Sequence, residues 1–350
     1  MDALYRFPDI LRIHMGRGID DGVRAFARNH RQTLEFFRNA VVFAVNLIYD
    51  FLLLIPWWLL VLIVVFLGYK ATKKLHKGIL YGTLVLLIGS FGLWDLMLQT
   101  LSIIILSIAV CIVIGFPLGV AISMSERANA IVRPVLDFAQ TIPCFVYLIP
   151  AAMLLGVGKT PAVIATVSYA IVPMVRMTSH GILHVDKDVI EASTAFGSTR
   201  FQTLVKVQIP QALPTIMTGV NQTIMMAMAM VVTCALIGAS GLGMEILVAT
   251  HRVQIGQALL PGLSIVILAT VLDRLTQGMI RKEQEEDREI QDEEGKAFYK
   301  EAFLKIKNAM SGIWGVSSPP ASYEPSPLLS PHYVRAGKTS GPLSLPNKTQ

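Results

Sequence analysis

The chain has 350 residues, of which 53% are hydrophobic and only 15% are charged, and its mean hydropathy is +0.57. A soluble domain carries about a quarter charged residues, so the composition excludes an ordinary soluble protein and predicts an all-α polytopic membrane protein. The net charge of +6 comes from basic residues scattered over loops, which argues against a nucleic-acid partner.

Residues 1–50 form the first predicted segment, and seven arginines fall within its first 39 positions. Together with interspersed aspartates and phenylalanines they predict an N-terminal amphipathic, interfacial segment lying on a bilayer. Residues 51–94 are expected to form two peripheral transmembrane helices, the first at Phe51–Tyr69, with Trp57 and Trp58 in an interfacial belt. An extra crossing or a re-entrant helix within residues 1–50 stays open.

Uncharged stretches near or above the length of a membrane helix predict about seven transmembrane helices. After Phe51–Tyr69 they are residues 78–94, 96–123, 138–158, 160–175, 214–240 and 253–272. Lysine and arginine concentrate in the loops at 70–77, 124–137 and 176–206, which the positive-inside rule assigns to the cytoplasm. Seven crossings then put the N-terminus outside, where its seven arginines conflict with the same rule.

Motifs for chemistry are missing from the sequence. It contains no HExxH, no serine or cysteine near a suitable base, and no Walker A pattern, so we expect no catalytic, metal or cofactor site in this chain. The predicted spans are almost free of ionisable side chains, which argues against a proton-coupled carrier. Sodium coupling through backbone carbonyls stays open.

A mostly polar stretch, Glu191–Pro210, separates two long apolar segments and predicts two short helices. The first is expected to begin at a capping Asp188, and its apolar face to comprise Val189, Ile190, Ser193 and Phe196. Gly197 is expected to end it in a conformation with positive φ. The second is expected to end at Pro210, its apolar side comprising Phe201, Leu204 and Val205. Two short helices on the aqueous side of a membrane protein are better suited to binding a partner protein than to catalysis.

This stretch resembles the "EAA" loop of binding-protein-dependent ABC importers. The resemblance is carried by Glu191-Ala192-Ser193, by Gly197 and by Val207-x-Ile209-Pro210, with Ser193 in place of the usual third alanine. In that family the loop holds the cytoplasmic coupling helix of the permease, which sits in a groove of the ATPase subunit. The resemblance therefore implies a coupling loop at residues 186–210 whose docking residues are Glu191, Ala192, Ser193, Ala195, Phe196 and Gly197.

A wider resemblance links residues 95–280 to the permeases of glycine betaine/proline betaine/choline importers. It is carried by QTIPCFVYLIP (140–150), KVQIPQALPTIMTGVNQT (206–223), GASGLG (238–243) and ILATVLDRLTQ (267–277). It implies a type I ABC importer permease-like core in a bacterial or archaeal cytoplasmic membrane. The implied partners are a second copy of this chain, two copies of a cytoplasmic ATPase that binds the ATP, and an extracytoplasmic solute-binding protein. Residues 281–350, charged and then Pro/Ser-rich, depart from the pattern and are expected to form a largely disordered cytoplasmic tail.

A quaternary-amine substrate would be held most readily by aromatic faces, since a fixed cation is attracted to the ring quadrupole. Phe145, Tyr147 and Tyr169 are the aromatic candidates for the translocation path, and packing or contact with lipid is the alternative for each. Asn221 and Gln222, polar residues within the sixth predicted span, are expected either to bond between helices or to line the path.

Alternative functions remain compatible with the sequence. The chain could be an ABC permease for another small solute of the amino-acid type, a self-sufficient secondary carrier, or a membrane scaffold or enzyme subunit without a transport role. Co-purification with an ATPase separates the permease subunit from the carrier. Solute flux in proteoliposomes separates both from the scaffold.

Overall fold

The computed structural model describes residues 16–278, which consist of helices and their connections. The predicted tail at 281–350 and residues 1–15 lie outside the described residues. The helices are α1 Gly16–Asn29, α2 Arg31–Leu54, α3 Trp57–Thr72, α4 Leu75–Ser90, α5 Trp94–Ser123, α6 Glu126–Thr141, α7 Cys144–Leu155, α8 Lys159–Leu183, α9 Lys187–Ala195, α10 Arg200–Thr203, α11 Ile209–Thr233, α12 Leu242–His251 and α13 Ile255–Gly278. A π-helical turn, Leu204–Gln208, joins α10 to α11, and a 3₁₀ turn, Cys234–Ile237, follows α11.

Helix length and composition identify five helices among the described residues that could each cross a membrane, or six if the bent pair α6–α7 is one span. The five are α2, α5, α8, the continuous run Arg200–Ile237, and α13. Helices α3 and α4 have 16 residues each, and at about 1.5 Å per residue they are shorter than a typical span. The expected count of about seven includes both, and five or six helices meet the length criterion without them.

The first predicted span, Phe51–Tyr69, is wrong in its boundaries because Pro56 divides it. Leu54 ends α2, Ile55 is extended, and Pro56 precedes the first residue of α3. Proline cannot continue the helix because it lacks the backbone N–H and clashes with the preceding turn.

The predicted crossing at 138–158 is likewise two helices, which meet at an angle of 94°. Ile142 is extended and Pro143 stands at the N-cap of α7, as expected where a residue before proline is driven out of the helical region. Helix α6 has no buried residue and lies on the surface of the bundle. The chain therefore turns sharply before α7 begins.

Helix α8 is the centre of the bundle and packs between α5 and α11. A Cβ atom on Gly119 of α5 would stand 2.6 Å from Thr178 Cβ, and one on Gly219 of α11 would stand 2.7 Å from Met177 Cβ. These glycines let the backbones approach closely, a common feature of membrane helix pairs. Because Gly115 adjoins Met174 and Gly119 adjoins Thr178, helices α5 and α8 run in the same direction.

Helix α8 also extends to Leu183, eight residues past the predicted end of its span at residue 175. Arg176 is part of the helix and forms an ion pair with Asp137 of α6. We call the end of the bundle that carries α9 the inner end and the opposite end, where α5 and α8 begin, the outer end. The Arg176–Asp137 pair ties surface helix α6 to the inner half of α8.

Candidate functional site

The first arm of the predicted coupling loop is α9, and its N-cap is Asp186 rather than the predicted Asp188. The carboxylate of Asp186 accepts a hydrogen bond from the backbone N–H of Asp188, 3.0 Å away. A capping side chain satisfies one of the N–H groups that a helix start leaves without a partner. The helix therefore starts at Lys187, one residue before the predicted cap.

Helix α9 turns one face to the bundle and the other to the surroundings. Ile190 packs against the inner cluster, and Ser193 Oγ lies 3.1 Å from Thr203 Oγ1 of the second arm. The inner cluster consists of Met174, Ile182, Val185, Leu204, Ala212 and Ile216, with Ile112, Phe116, Val120, Ile190, Ile209 and Val220 packed on it. It joins the loop to α5, α8 and α11.

The outward face carries most of the residues expected to dock a partner. Glu191, Ala192 and Ala195 are exposed, and Phe196 is 92% exposed. The predicted apolar face is wrong in one member, because Phe196 does not share a face with Ile190 and Ser193. The helix ends at Ala195, so Phe196 occupies the C-cap and leaves the helical periodicity.

Gly197 ends the first arm as predicted, in the left-handed region with φ of +85°. Its N–H donates to Thr194 O at 2.9 Å, and the N–H of Ser198 donates to Ser193 O at 3.2 Å. These bonds satisfy carbonyls at the helix end in the manner of a Schellman motif. The turn aims the second arm back along the first.

The second arm starts with a capping box between Thr199 and Gln202. A threonine with glutamine three residues later is a sequence signal for this box, and the sequence analysis missed it. The sequence predicts that the second arm ends at Pro210, but the helix continues past this residue. The chain continues through the π-helical turn, where Ile209 N–H donates to Leu204 O, into α11.

The predicted apolar side of this arm is also divided. Leu204 is 4% exposed and belongs to the inner cluster, whereas Phe201 and Val205 are exposed. Two further apolar side chains of the loop, besides Phe196, are therefore exposed. The loop presents a mixed apolar and polar outer surface on a well-packed base.

The aromatic path candidates fall into two groups. Tyr147 and Tyr169 pack edge to face with ring centroids 5.9 Å apart, and Tyr147 Oη donates to Ala139 O at 2.6 Å. That bond spans the break between α6 and α7. Phe145 is exposed on the surface of α7 and is not part of the tyrosine pair.

The polar candidates for the path, Asn221 and Gln222, lie on α11. Asn221 Nδ2 donates to Asp273 Oδ1 of α13 at 3.2 Å, and Gln277 Nε2 donates to the same oxygen at 2.7 Å. Asn221 thus bonds between helices, one of the two predicted roles. Gln222 is exposed on the surface of α11. Asn221 Oδ1 is buried without a hydrogen-bond partner.

The described part of the chain lacks a cluster of side chains that could bind a metal ion. Within residues 16–278 no group of three or more His, Cys, Asp or Glu side chains could hold a metal ion. Cys111 and Cys234 are buried among apolar side chains, in line with packing roles. Residues 16–278 therefore provide a packed loop and close helix contacts rather than a cluster of metal ligands.

Known proteins match the chain over most of its length. The family "Binding-protein-dependent transport system inner membrane component" matches residues 111–282. The glycine betaine/carnitine transport permease protein GbuB of Listeria monocytogenes is 40% identical over 285 residues, which is 80% of this chain and 100% of that protein. The glycine betaine/proline betaine transport system permease protein ProW of Escherichia coli is 40% identical, over 75% of this chain and 74% of that one. An inward-facing structure of the MetNI methionine ABC transporter aligns with a TM-score of 0.48 and 24% identity, over 53% of this chain and 93% of its own.

Proposed function

Because this chain belongs to the inner-membrane components of binding-protein-dependent transport systems, we propose that it forms the membrane path for a quaternary-amine osmolyte such as glycine betaine. It is a multi-pass permease subunit of an ABC importer and not an enzyme. The proposal adds to this the substrate, the docking residues, the number of copies of each partner and the route by which ATP hydrolysis reaches the path.

The observation that carries the docking role is the division of α9 into two faces. Ile190 and Ser193 hold the helix to the bundle, while Glu191, Ala192 and Ala195 are left exposed. A large apolar side chain such as Phe196, exposed on the surface of a short amphipathic helix, is suited to fill a pocket of a partner. The partner we propose is a cytoplasmic ATPase subunit, which binds the ATP.

Movement of α9 would reach the membrane helices through the inner cluster. Ile190 and Leu204 come from the two arms of the loop, while Ile182 and Ile216 come from α8 and α11. Packed side chains transmit displacement because protein interiors are dense. Such interiors switch between discrete packing arrangements instead of deforming continuously. Closure of the ATPase pair would thus shift α8 against α11 and alternate access to the path.

The number of partners follows from the number of coupling loops. A pair of ATPase subunits needs two docking helices, and residues 16–278 contain one α9. We therefore propose two copies of this chain with two ATPase subunits, and an extracytoplasmic solute-binding protein that delivers the substrate at the outer end.

The substrate class is supported by two independent features. Both permease relatives named above carry glycine betaine in their names. Tyr147 and Tyr169 are paired at 5.9 Å beside the break between α6 and α7, and aromatic faces attract quaternary ammonium groups without a buried carboxylate. Proline betaine, choline and carnitine share that group and are the alternatives to be compared.

The test is reconstitution of the chain with its ATPase, followed by solute uptake and ATP hydrolysis. Phe196→Asp should abolish co-purification of the ATPase and ATP-dependent uptake, because it puts a charge into the proposed pocket. Val157→Asp is the matched control, since Val157 is also highly exposed but lies at the outer end, in the α7–α8 connection. Unchanged ATPase binding by Phe196→Asp would disprove the docking role. Uptake that needs no ATPase would instead identify a self-sufficient carrier.

A further inference from the structure

Helix α2 is long and apolar enough to cross a membrane, yet its contacts lie at one level of the bundle. Its 24 residues span about 36 Å at about 1.5 Å per residue. Arg38 O accepts a hydrogen bond from Thr160 Oγ1 at 3.2 Å, and Asn46 Oδ1, two turns further along α2, accepts one from Lys159 Nζ at 2.8 Å. Both partners are in the first turn of α8, at the outer end.

The far end of α2 meets the outer end as well. Leu53 and Ile55 line a groove together with Ser90, at the end of α4, and Trp94, the first residue of α5. Trp94 and Lys159 begin two helices that run in the same direction, so they lie at the same end of the bundle. A helix that crossed the membrane between Arg38 and Ile55 would have changed depth by about 25 Å. Helix α2 therefore lies across the outer ends of α5 and α8.

The surface of α2 is divided lengthwise into three strips. One strip packs on the bundle and comprises Val41, Val45, Ile48 and Leu52. Most of the exposed remainder falls at helical spacing into two strips, with the exposed Leu53 as an apolar exception on the polar side. The polar strip contains Glu35, Asn39 and Asp50, all exposed. The apolar strip contains Phe36, Phe43, Leu47 and Leu54, which are 76%, 69%, 58% and 80% exposed.

We propose that α2 is an interfacial helix seated in the outer leaflet, with its apolar strip on the acyl chains and its polar strip towards water. A lengthwise border between polar and apolar side chains is what the boundary between headgroups and acyl chains requires. In a membrane-crossing helix, the exposed Asp50 would face the bilayer, where a charged side chain is unfavourable. The occupant of the strip is therefore the bilayer itself rather than a second protein.

Neighbouring residues fit the same position. Trp57 and Trp58, directly after α2, are exposed at the outer end, where indole rings favour the interface. Arg24 and Arg28 are exposed on α1, and guanidinium groups bind lipid phosphates well. This placement gives the arginines of the N-terminal segment a lipid partner on the outer side, where the positive-inside rule does not expect them. The proposal is independent of the transported solute.

Single cysteines along α2 test the proposal in the full chain within membrane vesicles or spheroplasts. Cys111 and Cys234 are fully buried, so replacement of Cys144 by serine leaves a background of low reactivity. A charged, membrane-impermeant maleimide added from outside should label Asn39→Cys and Asp50→Cys on the polar strip. It should label Phe43→Cys and Leu47→Cys at least several-fold more slowly. Val157→Cys and Lys77→Cys serve as the outer and inner controls.

A second readout separates lipid from protein as the cover of the apolar strip. A fluorophore attached at Phe43→Cys should be quenched by phospholipids brominated in their acyl chains, and one at Asn39→Cys should be quenched much less. Phe36→Cys and Leu54→Cys provide the same comparison if a central variant fails to fold. Labelling of Asp50→Cys only after permeabilisation would mean that α2 crosses the membrane. Protection at Phe43→Cys without quenching would mean that a protein covers the strip. Either result overturns the proposal.

Discussion

The hydroxyl of Ser193 lies 3.1 Å from the hydroxyl of Thr203, and this contact joins the two arms of the predicted coupling loop across the turn at Gly197. Thr203 is buried and directly precedes Leu204, which belongs to the inner cluster. The first arm is thus fixed to the start of the long run that becomes α11. A push on α9 is expected to reach α11 through this contact as well as through Ile190.

The contact between Ser193 and Thr203 should contribute modestly to the stability of the folded protein, and only when both hydroxyls are present. Thr203→Val alone leaves Ser193 with no partner on the second arm, whereas Ser193→Ala leaves the buried Thr203 hydroxyl unsatisfied, so each should cost about 1 kcal/mol. The double variant should cost less than the sum of the two, since both polar groups are then absent. Thermal unfolding of the purified complex measures the three differences. Strict additivity would show that the two hydroxyls do not interact.

Whether Gly197 can be replaced should depend on how readily the new residue adopts positive φ, and not on the space available for its side chain. A Cβ atom there would meet no described atom within 4 Å, but the φ of +85° disfavours other residues. Gly197→Val should cost about 1–2 kcal/mol in local stability and weaken ATPase binding, because a β-branched residue is strained at positive φ. Gly197→Asn, which adopts this region more readily, is the matched control. Equal binding of the ATPase by the two variants would contradict the expectation.

The close contact of α5 with α8 should make Gly119 sensitive to a single methyl group. Its Cβ atom would stand 2.6 Å from Thr178 Cβ and 2.8 Å from Val175 O, so Gly119→Ala must move the helices apart. We expect a loss of about 1–3 kcal/mol, as for other overpacked sites. Gly262→Ala in α13 is the control, because no described atom lies within 4 Å of its Cβ position. The unfolding temperatures of the two variants in the same detergent provide the comparison, and similar values would argue against tight packing.

Tyr147 offers a way to separate a cation-binding ring from a structural hydroxyl. Tyr147→Phe removes the bond to Ala139 O but keeps the ring beside Tyr169. If the ring contacts a quaternary ammonium group, Tyr147→Phe should keep the apparent KM for uptake. Tyr147→Ala should then raise KM about 30-fold, equivalent to about 2 kcal/mol of cation–π attraction. Uptake by Tyr147→Ala with unchanged kinetics would remove this residue from the path.

Family membership and the helical membrane fold could be recognised from sequence alone, and both are confirmed by the relatives and the structure. The reason is physical as well as evolutionary. Apolar stretches of membrane length can satisfy their backbone only as helices, and the turn at Gly197 needs a residue that accepts positive φ. These requirements act on short segments, so they are visible in short segments of sequence.

Other features depended on partners distant in the sequence. The division of Phe51–Tyr69 at Pro56 and of 138–158 at Pro143 has a local cause, but proline is tolerated inside other helices of this chain, such as α8 with Pro173. Whether a proline breaks or merely bends a helix depends on what surrounds it. Likewise, the hydrogen bond of Asn221 to Asp273, 52 residues away, could not be identified from the sequence alone.

The sequence by itself determined which segments are apolar and that the helix before Gly197 ends there. Only the tertiary structure decided which face of α9 is left exposed and that α2, despite its length, is hydrogen-bonded to the first turn of α8. Length and hydropathy measure how readily a helix leaves water. They do not record its direction, which is set by contacts such as Lys159 with Asn46 that form only once the bundle is assembled.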